Sequence, residues 1–358
     1  MNNRYAIIMA GGIGSRFWPL SRSDKPKQFL DILGNGETLI QQTFRRIKAV
    51  CQEDHIIIVT NTEHKNIVID QLGVRPERVL AEPNRRNTAP CIAYGTSLIL
   101  NEDPDAVIVV TPADHLILKE EEFRKIINEG FDFAQQNEVL ITLGIKPDKP
   151  ETGYGYIQAD ETTPVTVNTT GKLMKVIKFT EKPDTDLAKK FIDSGDFYWN
   201  SGIFIWSAKA IMKALDRFLP DISSVFSEGK SLLGTTREDE FISGIYNSIR
   251  SVSIDFGVLE KADNVYVLSA NMGWSDLGTW SSLYSHTTND KNANAIVLGK
   301  AYSYDSKGNI ISIKPGKVAI LQGLNEYIIV DTDDALLIIR KDEEQKIKEY
   351  LEDIKNEI

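Results

Sequence analysis

The chain predicts an α/β fold: a mostly parallel sheet flanked by helices, followed by a small β-rich segment. Two observations carry this. Short Ile- and Val-rich runs alternate with helix-length amphipathic stretches through roughly the first 280 residues, the pattern of strand–helix units that build a parallel sheet. After a polar stretch, short apolar runs then recur at turn-like intervals.

In chain order, Tyr5–Ala10, His55–Thr60, Ala106–Thr111 and Val139–Leu143 read as buried strands. Between them, Thr38–Val50, Thr88–Asn101 and Glu120–Asn137 read as helices. Asn87 or Thr88 is the cap of the second of these helices, with Pro90 in its first turn. A second block, Gly153–Trp206, adds a Tyr/Gly-rich strand, a strand and loop ending Glu181-Lys182-Pro183, a helix over Asp184–Ser194, and the strand Gly202–Trp206. The polar run His286–Asn294 reads as a linker, so the expected domains are 1–286 and 295–358. The second holds strands at Asn309–Ile313, Lys317–Leu321, Glu326–Val330 and Ala335–Ile339, then a surface helix over Lys341–Ile358.

Composition narrows the function classes. Hydrophobic residues make up 42% and charged residues 26%, so a sizeable core is available. The net charge of −10 argues against nucleic acid or an anionic membrane as the main partner. Cys51 and Cys91 are far apart and form no zinc or disulfide framework. Tyr5–Ala10 is too short for a signal-peptide core, and no apolar run reaches 18 residues. A soluble, cytoplasmic protein is expected.

In such sheets ligands bind beyond the carboxyl ends of the strands, so the loop after the first strand matters most. There Ala10-Gly11-Gly12-Ile13-Gly14-Ser15-Arg16 lets the backbone approach an anion closely. No GK[ST] follows, and Phe17 stands where a third dinucleotide-binding glycine would be. The loop alone is compatible with a plain tight turn. Arg16–Lys27 then carries Arg16, Arg22, Lys25 and Lys27 against Asp24, interrupted by Trp18, Pro19 and Pro26. A stiffened cationic loop in an acidic chain reads as a triphosphate clamp.

The segment from Gly11 to Leu30 resembles the signature of the nucleotide-sugar pyrophosphorylases. Its WPLSR and PKQF elements resemble those of the mannose-1-phosphate guanylyltransferases. The likeness recurs at Glu82–Gly95, Thr111–His115, Glu151–Ile157, Phe179–Asp184, Trp199–Trp206 and Gly273–Trp280, in order over essentially the whole chain. It implies a Rossmann-like nucleotidyltransferase sheet with a β-helix-like C-terminal domain used in self-association, and hence a homodimer. It implies GTP and mannose 1-phosphate as substrates, GDP-mannose and pyrophosphate as products, and Mg²⁺ as cofactor. Since the chain stops soon after Val330–Ile338, the resemblance implies the form without a C-terminal isomerase domain.

The resemblance also assigns roles. Gly11, Gly12, Gly14 and Arg16 hold the triphosphate, and Lys27 stabilises the transition state; Arg22 and Lys25 are weaker candidates. Asp114 and Asp276 are the metal carboxylates, against a loop-cap reading for a lone strand-end Asp. Glu82, Arg85, Asn87 and Thr88 read the base, although Asn87 and Thr88 read equally well as helix caps. Gly153, Tyr154, Glu181, Lys182, Asn200 and Gly202 match the hexose-phosphate pocket. Taken alone, Glu181 and Lys182 would read as an exposed ion pair. Trp199, Phe204 and Trp206 read as core. The chemistry requires no general base, because the attacking phosphate is already an anion; alignment and charge neutralisation must do the work. Two alternatives stand beside this reading: a pyrophosphorylase for another nucleotide and sugar, and a non-catalytic nucleotide-sugar sensor.

Overall fold

A computed structural model describes residues 3–12, 14–165 and 171–354. Ile13 of the glycine loop and the last residues of the expected Lys341–Ile358 helix lie outside them. The chain forms two compact units that are interleaved in sequence. One comprises Met1–Gly11, Thr43–Ala113 and Ile117–Trp274; the other comprises Gly12–Gln42, Asp114–Leu116 and Ser275–Ile358.

In the first unit, β1 (Arg4–Met9), β2 (Ile56–Asn61), β3 (Val79–Glu82) and β4 (Val107–Pro112) are parallel neighbours in the order β3-β2-β1-β4. The Ile/Val runs predict β1, β2 and β4 of this parallel half but not β3, and β2 is buried along its whole length. The short β5 (Leu116–Ile117) follows in the chain. Beyond β4 the nine-stranded sheet becomes mixed. β6 (Leu140–Ile145), β7 (Gly155–Ala159), β8 (Leu173–Glu181), β9 (Phe197–Ser207) and β10 (Val265–Ala270) continue the order as β9-β6-β10-β8-β7. β9 is antiparallel to both β4 and β6, while β10 is parallel to β6.

Helices cover the sheet: α1 (Leu39–Lys48), α2 (Lys65–Leu72), α3 (Thr88–Glu102), α4 (Glu120–Gln136), α5 (Thr185–Ser194), α6 (Ala208–Phe218), α7 (Pro220–Glu228) and α8 (Glu238–Tyr246). Helix α3 is apolar on most sides and buries Ala89 through Ile99 in the same core as Ile7, Val59 and Val110. Phe204 and Trp206 lie in that core, and Trp199 is buried on the same strand, as expected.

The chain enters the second unit for its last long stretch at β11 (Trp274–Ser275), which leads into α9 (Trp280–Tyr284). It is followed by β12 (Ala295–Leu298), β13 (Lys300–Tyr304), β14 (Ile310–Ser312), β15 (Val318–Gln322), β16 (Tyr327–Asp331), β17 (Leu336–Arg340) and α10 (Ile347–Asp353). Strands β12-β14-β16 and β13-β15 stack in parallel, with Ile310 beside Ile328 and Tyr302 beside Ile320. Buried Asn309 ties successive coils, donating to Asn294 Oδ1 (2.9 Å) and to the Leu324 carbonyl (2.8 Å). The linear division at 286–295 differs from this packing for a clear reason. Phe17, Ile32 and Leu39 from the early loop share one apolar core with Leu277, Trp280, Ile310, Ile328 and Ile347.

Candidate active site

The second unit gathers the metal candidates and the phosphate candidates other than Gly11. Gly14 precedes a short 3₁₀ turn, Ser15–Phe17, and adopts φ 67°. A Cβ there would lie 2.5 Å from the Lys27 Cβ, so backbone conformation and close approach both demand glycine. Gly12 is open to solvent, and its carbonyl accepts a hydrogen bond from Gln28 Nε2 at 2.9 Å. Phe17, buried against Trp280, anchors the turn that presents Arg16. The Arg16 Nε is buried and has no hydrogen-bond partner among the described residues.

Lys27 organises the site. It is 3% exposed, and its ammonium meets Asp114 Oδ2 at 2.8 Å and the carbonyls of Asp276 (2.8 Å) and Leu277 (3.1 Å). One side chain thus draws together two carboxylate-bearing loops that are distant in sequence. Burial opposes ionisation of Asp114, yet Lys27 and then His115 outweigh it and hold the carboxyl below its ordinary value. Asp276 accepts from Gly278 N at 2.8 Å, and Thr279 caps the helix that follows. A Cβ on Gly278 would lie 2.5 Å from Asp276 Oδ2, so that glycine makes room for the carboxylate.

A cavity of about 240 Å³ results, and Gly14, Arg16, Lys27, Asp114 and Asp276 all line it. His115 and Lys348 also line it. Lys348 escaped sequence reasoning, since a lysine on a charged amphipathic helix carries no signal of its own. Two hard oxygen donors beside cations and an open cavity fit Mg²⁺ completed by substrate phosphates. Among the described residues no cluster of three or more His, Cys, Asp or Glu forms a self-sufficient metal site. Arg22 is otherwise engaged: it donates to the Pro19 carbonyl and pairs with Asp334 at 2.8 Å. Lys25 is exposed.

The first unit holds the base and sugar candidates. Glu82 ends β3, is 5% exposed, and accepts from the Tyr246 hydroxyl at 2.9 Å. Burial pushes its carboxyl up to about 7, partly countered by that hydrogen bond. Its second oxygen lies near Gly11, as does Asn61 Oδ1, a buried acceptor without a partner among the described residues. Asn61, Tyr246 and the partnering of Glu82 were not read from the sequence. Arg85 is exposed, whereas adjacent Arg86 is structural, donating to the carbonyls of Tyr246 and Asn247.

Asn87 acts as the capping reading has it, whereas the Thr88 side chain bonds a distant segment. Asn87 Oδ1 accepts from Thr88 N at 2.9 Å from a φ of 68°, and Thr88 Oγ accepts from Ile254 N at 2.8 Å.

The sugar candidates cluster. The Tyr154 ring packs edge-on against Trp199 and Trp274. A Cβ on Gly155 would lie 2.7 Å from Glu181 Oε2 and 3.6 Å from the Asn200 Cβ, which places those two side chains side by side. Gly155 is a site glycine that the sequence reading passed over; Gly153 has open space around it. Glu181 and Lys182 form an exposed 2.9 Å ion pair, with Lys182 at φ 44°. Asn200 Oδ1 accepts from Thr142 Oγ (2.9 Å) and Gly202 N (3.3 Å), and Asn200 Nδ2 donates to Asp255 Oδ1 (2.7 Å).

Comparison with known proteins agrees. Residues 5–293 match the nucleotidyl transferase family, and residues 299–354 match the MannoseP isomerase/GMP-like beta-helix domain. Mannose-1-phosphate guanylyltransferase 2 of Escherichia coli O157:H7 is 36% identical, over 98% of this chain and 73% of its own length. Xanthan biosynthesis protein XanB of Xanthomonas campestris pv. campestris (strain B100) is 36% identical, over 99% and 74%. A crystal structure of a mannose-1-phosphate geranyltransferase, so titled, from Thermus thermophilus superposes with a TM-score of 0.86 at 26% identity, covering 99% of each chain. The chain therefore belongs to the nucleotidyl transferase family, in its mannose-1-phosphate guanylyltransferase branch.

Proposed function

We propose that the protein transfers the guanylyl group of GTP to mannose 1-phosphate, giving GDP-mannose and pyrophosphate. An oxygen of the sugar phosphate attacks the α-phosphorus; the new O–Pα bond forms as the bond to the pyrophosphate oxygen breaks. The observation that carries the reading is the convergence of Gly14, Arg16, Lys27, Asp114 and Asp276 on one cavity. No base is needed, because the attacking phosphate oxygen is already anionic. The guanidinium of Arg16 and the ammonium of Lys27 neutralise charge building on the phosphates, which is the main way such a site can lower the barrier.

Lys27 and Asp114 balance each other before substrate enters, so phosphate oxygens give Lys27 a second anion rather than a first. Asp114 and Asp276 would hold Mg²⁺, which when bound supplies further charge neutralisation at phosphate oxygens. Arg85, Glu82 and the neighbouring Asn61 offer a donor and acceptors of the kind guanine needs. Glu181, Lys182 and Asn200 supply polar groups for the hexose phosphate, where a wrong stereocentre leaves hydrogen-bonding groups unpaired.

The protein is proposed to work in the cytoplasm as a homodimer. No helix among the described residues is long and apolar enough to cross a membrane. Exposed Tyr302, Tyr304, Val318 and Ile320 on β13 and β15 support self-association. The substrate assignment is tested by pyrophosphate release with Mg²⁺, crossing five nucleoside triphosphates with several hexose 1-phosphates. Release should be confined to GTP with mannose 1-phosphate; release with another pair would displace the base or sugar assignment.

A further inference from the structure

We infer that Asp255 is a positioning residue for the hexose-phosphate pocket: it sets which way the Asn200 carboxamide faces the sugar. The inference rests on the reading of Asn200 as a sugar contact. A carboxamide has one acceptor oxygen with two lone pairs and one amino group with two N–H bonds. In Asn200 the oxygen accepts from Thr142 Oγ at 2.9 Å and from Gly202 N at 3.3 Å. The amino group donates to Asp255 Oδ1 at 2.7 Å. With its oxygen filled, Asn200 has one N–H left, so the pocket meets a donor and the facing sugar hydroxyl must accept.

Asp255 decides this orientation. The Thr142 hydroxyl can donate or accept, so it tolerates either face of the amide. The Gly202 contact is long. A flipped amide, however, would set its oxygen against the Asp255 carboxylate, acceptor against acceptor, and its amino group against Gly202 N. A charged acceptor makes the stronger hydrogen bond and the stronger veto.

The backbone holds Asp255 in place for this task. It opens the short π-helical turn Asp255–Leu259, its carbonyl accepts from Glu260 N at 2.9 Å, and Ile254 is tied to Thr88 at 2.8 Å. Such turns recur at functional sites.

The device depends on charge. Burial first, then Glu181 and Glu260, push the Asp255 carboxyl up to about 6, while the Asn200 hydrogen bond and its own backbone oppose the shift. Glu181 from β8 and Glu260 from the end of the same turn are the charged groups acting on it. Above this range the carboxylate locks the amide. Below it a protonated Asp255 can donate as well as accept, and the preference is lost.

The test uses the full chain with GTP, Mg²⁺ and mannose 1-phosphate between pH 5 and 8. Asp255→Asn should raise the sugar-phosphate KM about tenfold while the GTP KM stays within about twofold. The ratio of parent to variant kcat/KM for the sugar phosphate should fall toward one below pH 6. The substrate's own phosphate titrates identically in both proteins, so the ratio isolates Asp255. A sugar-phosphate KM within about twofold of the parent, or a ratio constant across pH, overturns the proposal. Asp255→Glu, which keeps the charge but moves it by one methylene, covers the case of a poorly folded Asn variant. It should raise the same KM severalfold and keep an acid step; parent-like values in both would equally contradict the role. If the parent itself shows no transfer with any nucleotide and sugar pair, the underlying reading fails. Normal parental transfer with a pH-independent ratio removes only the role of Asp255.

Discussion

Lys27 shows how much of the site hangs on one side chain. Its ammonium answers to a carboxylate and two carbonyls, so it fixes Asp114 and the loop of Asp276 before any phosphate arrives. Lys27→Ala should lower kcat by about 10²–10³-fold, the loss typical of one removed oxyanion donor. The GTP KM should move much less in steady-state kinetics. Equal losses in both would reduce Lys27 to a binding residue. Gly14, Arg16, Lys27, Asp114 and Asp276 of this cavity were legible, because glycines, cations and carboxylates stood in motifs dense enough to outweigh ordinary readings. Lys348 was not, nor were Asn61, Tyr246 and Asp255 outside this cavity, since each is a common residue whose meaning comes only from what it touches. Arg85 and Arg86 make the same point. Adjacent and identical in sequence, one is exposed and the other is committed to backbone carbonyls.

At the scale of elements, the Ile- and Val-rich runs predicted β1, β2, β4 and β6 within a residue or two. The antiparallel entry of β9 between β4 and β6 was not predicted, because a strand buried on both faces reads the same in either direction. Helices α2 and α6 to α9 and strands β3, β5 and β10 to β13 also went unread, the shortest for want of a period and α6 despite a clear amphipathic one. The coils of the β-rich segment carry a further consequence. Parallel pairing sets Tyr302 beside Ile320 and places Tyr304 and Val318 on the same face, all more than half exposed. Contiguous apolar exposure of this kind supports the proposed homodimer. Ile320→Asp, at a position 73% exposed, should leave the fold intact and shift the protein from dimer to monomer in sedimentation velocity. A parent that already sediments as a monomer would remove the homodimer.

The whole molecule reconciles an overall charge of −10 with a polyanionic substrate by concentrating cations locally. Arg16, Lys27 and Lys348 line one cavity beside only two aspartates. One compact unit holds the base and sugar candidates with Gly11; the other holds the metal candidates and the remaining phosphate candidates. That interleaving was hidden in the sequence, where the linker at 286–295 suggested a linear division. It arises because the early loop buries Phe17, Ile32 and Leu39 in the core of the β-rich unit. The central claim is the reaction itself, and ³¹P NMR of the protein with GTP, mannose 1-phosphate and Mg²⁺ tests it most directly. The account predicts loss of the γ- and β-phosphate signals of GTP, with GDP-mannose and pyrophosphate appearing in equal amounts. Formation of GDP and inorganic phosphate, or an unchanged spectrum from folded protein, would contradict it.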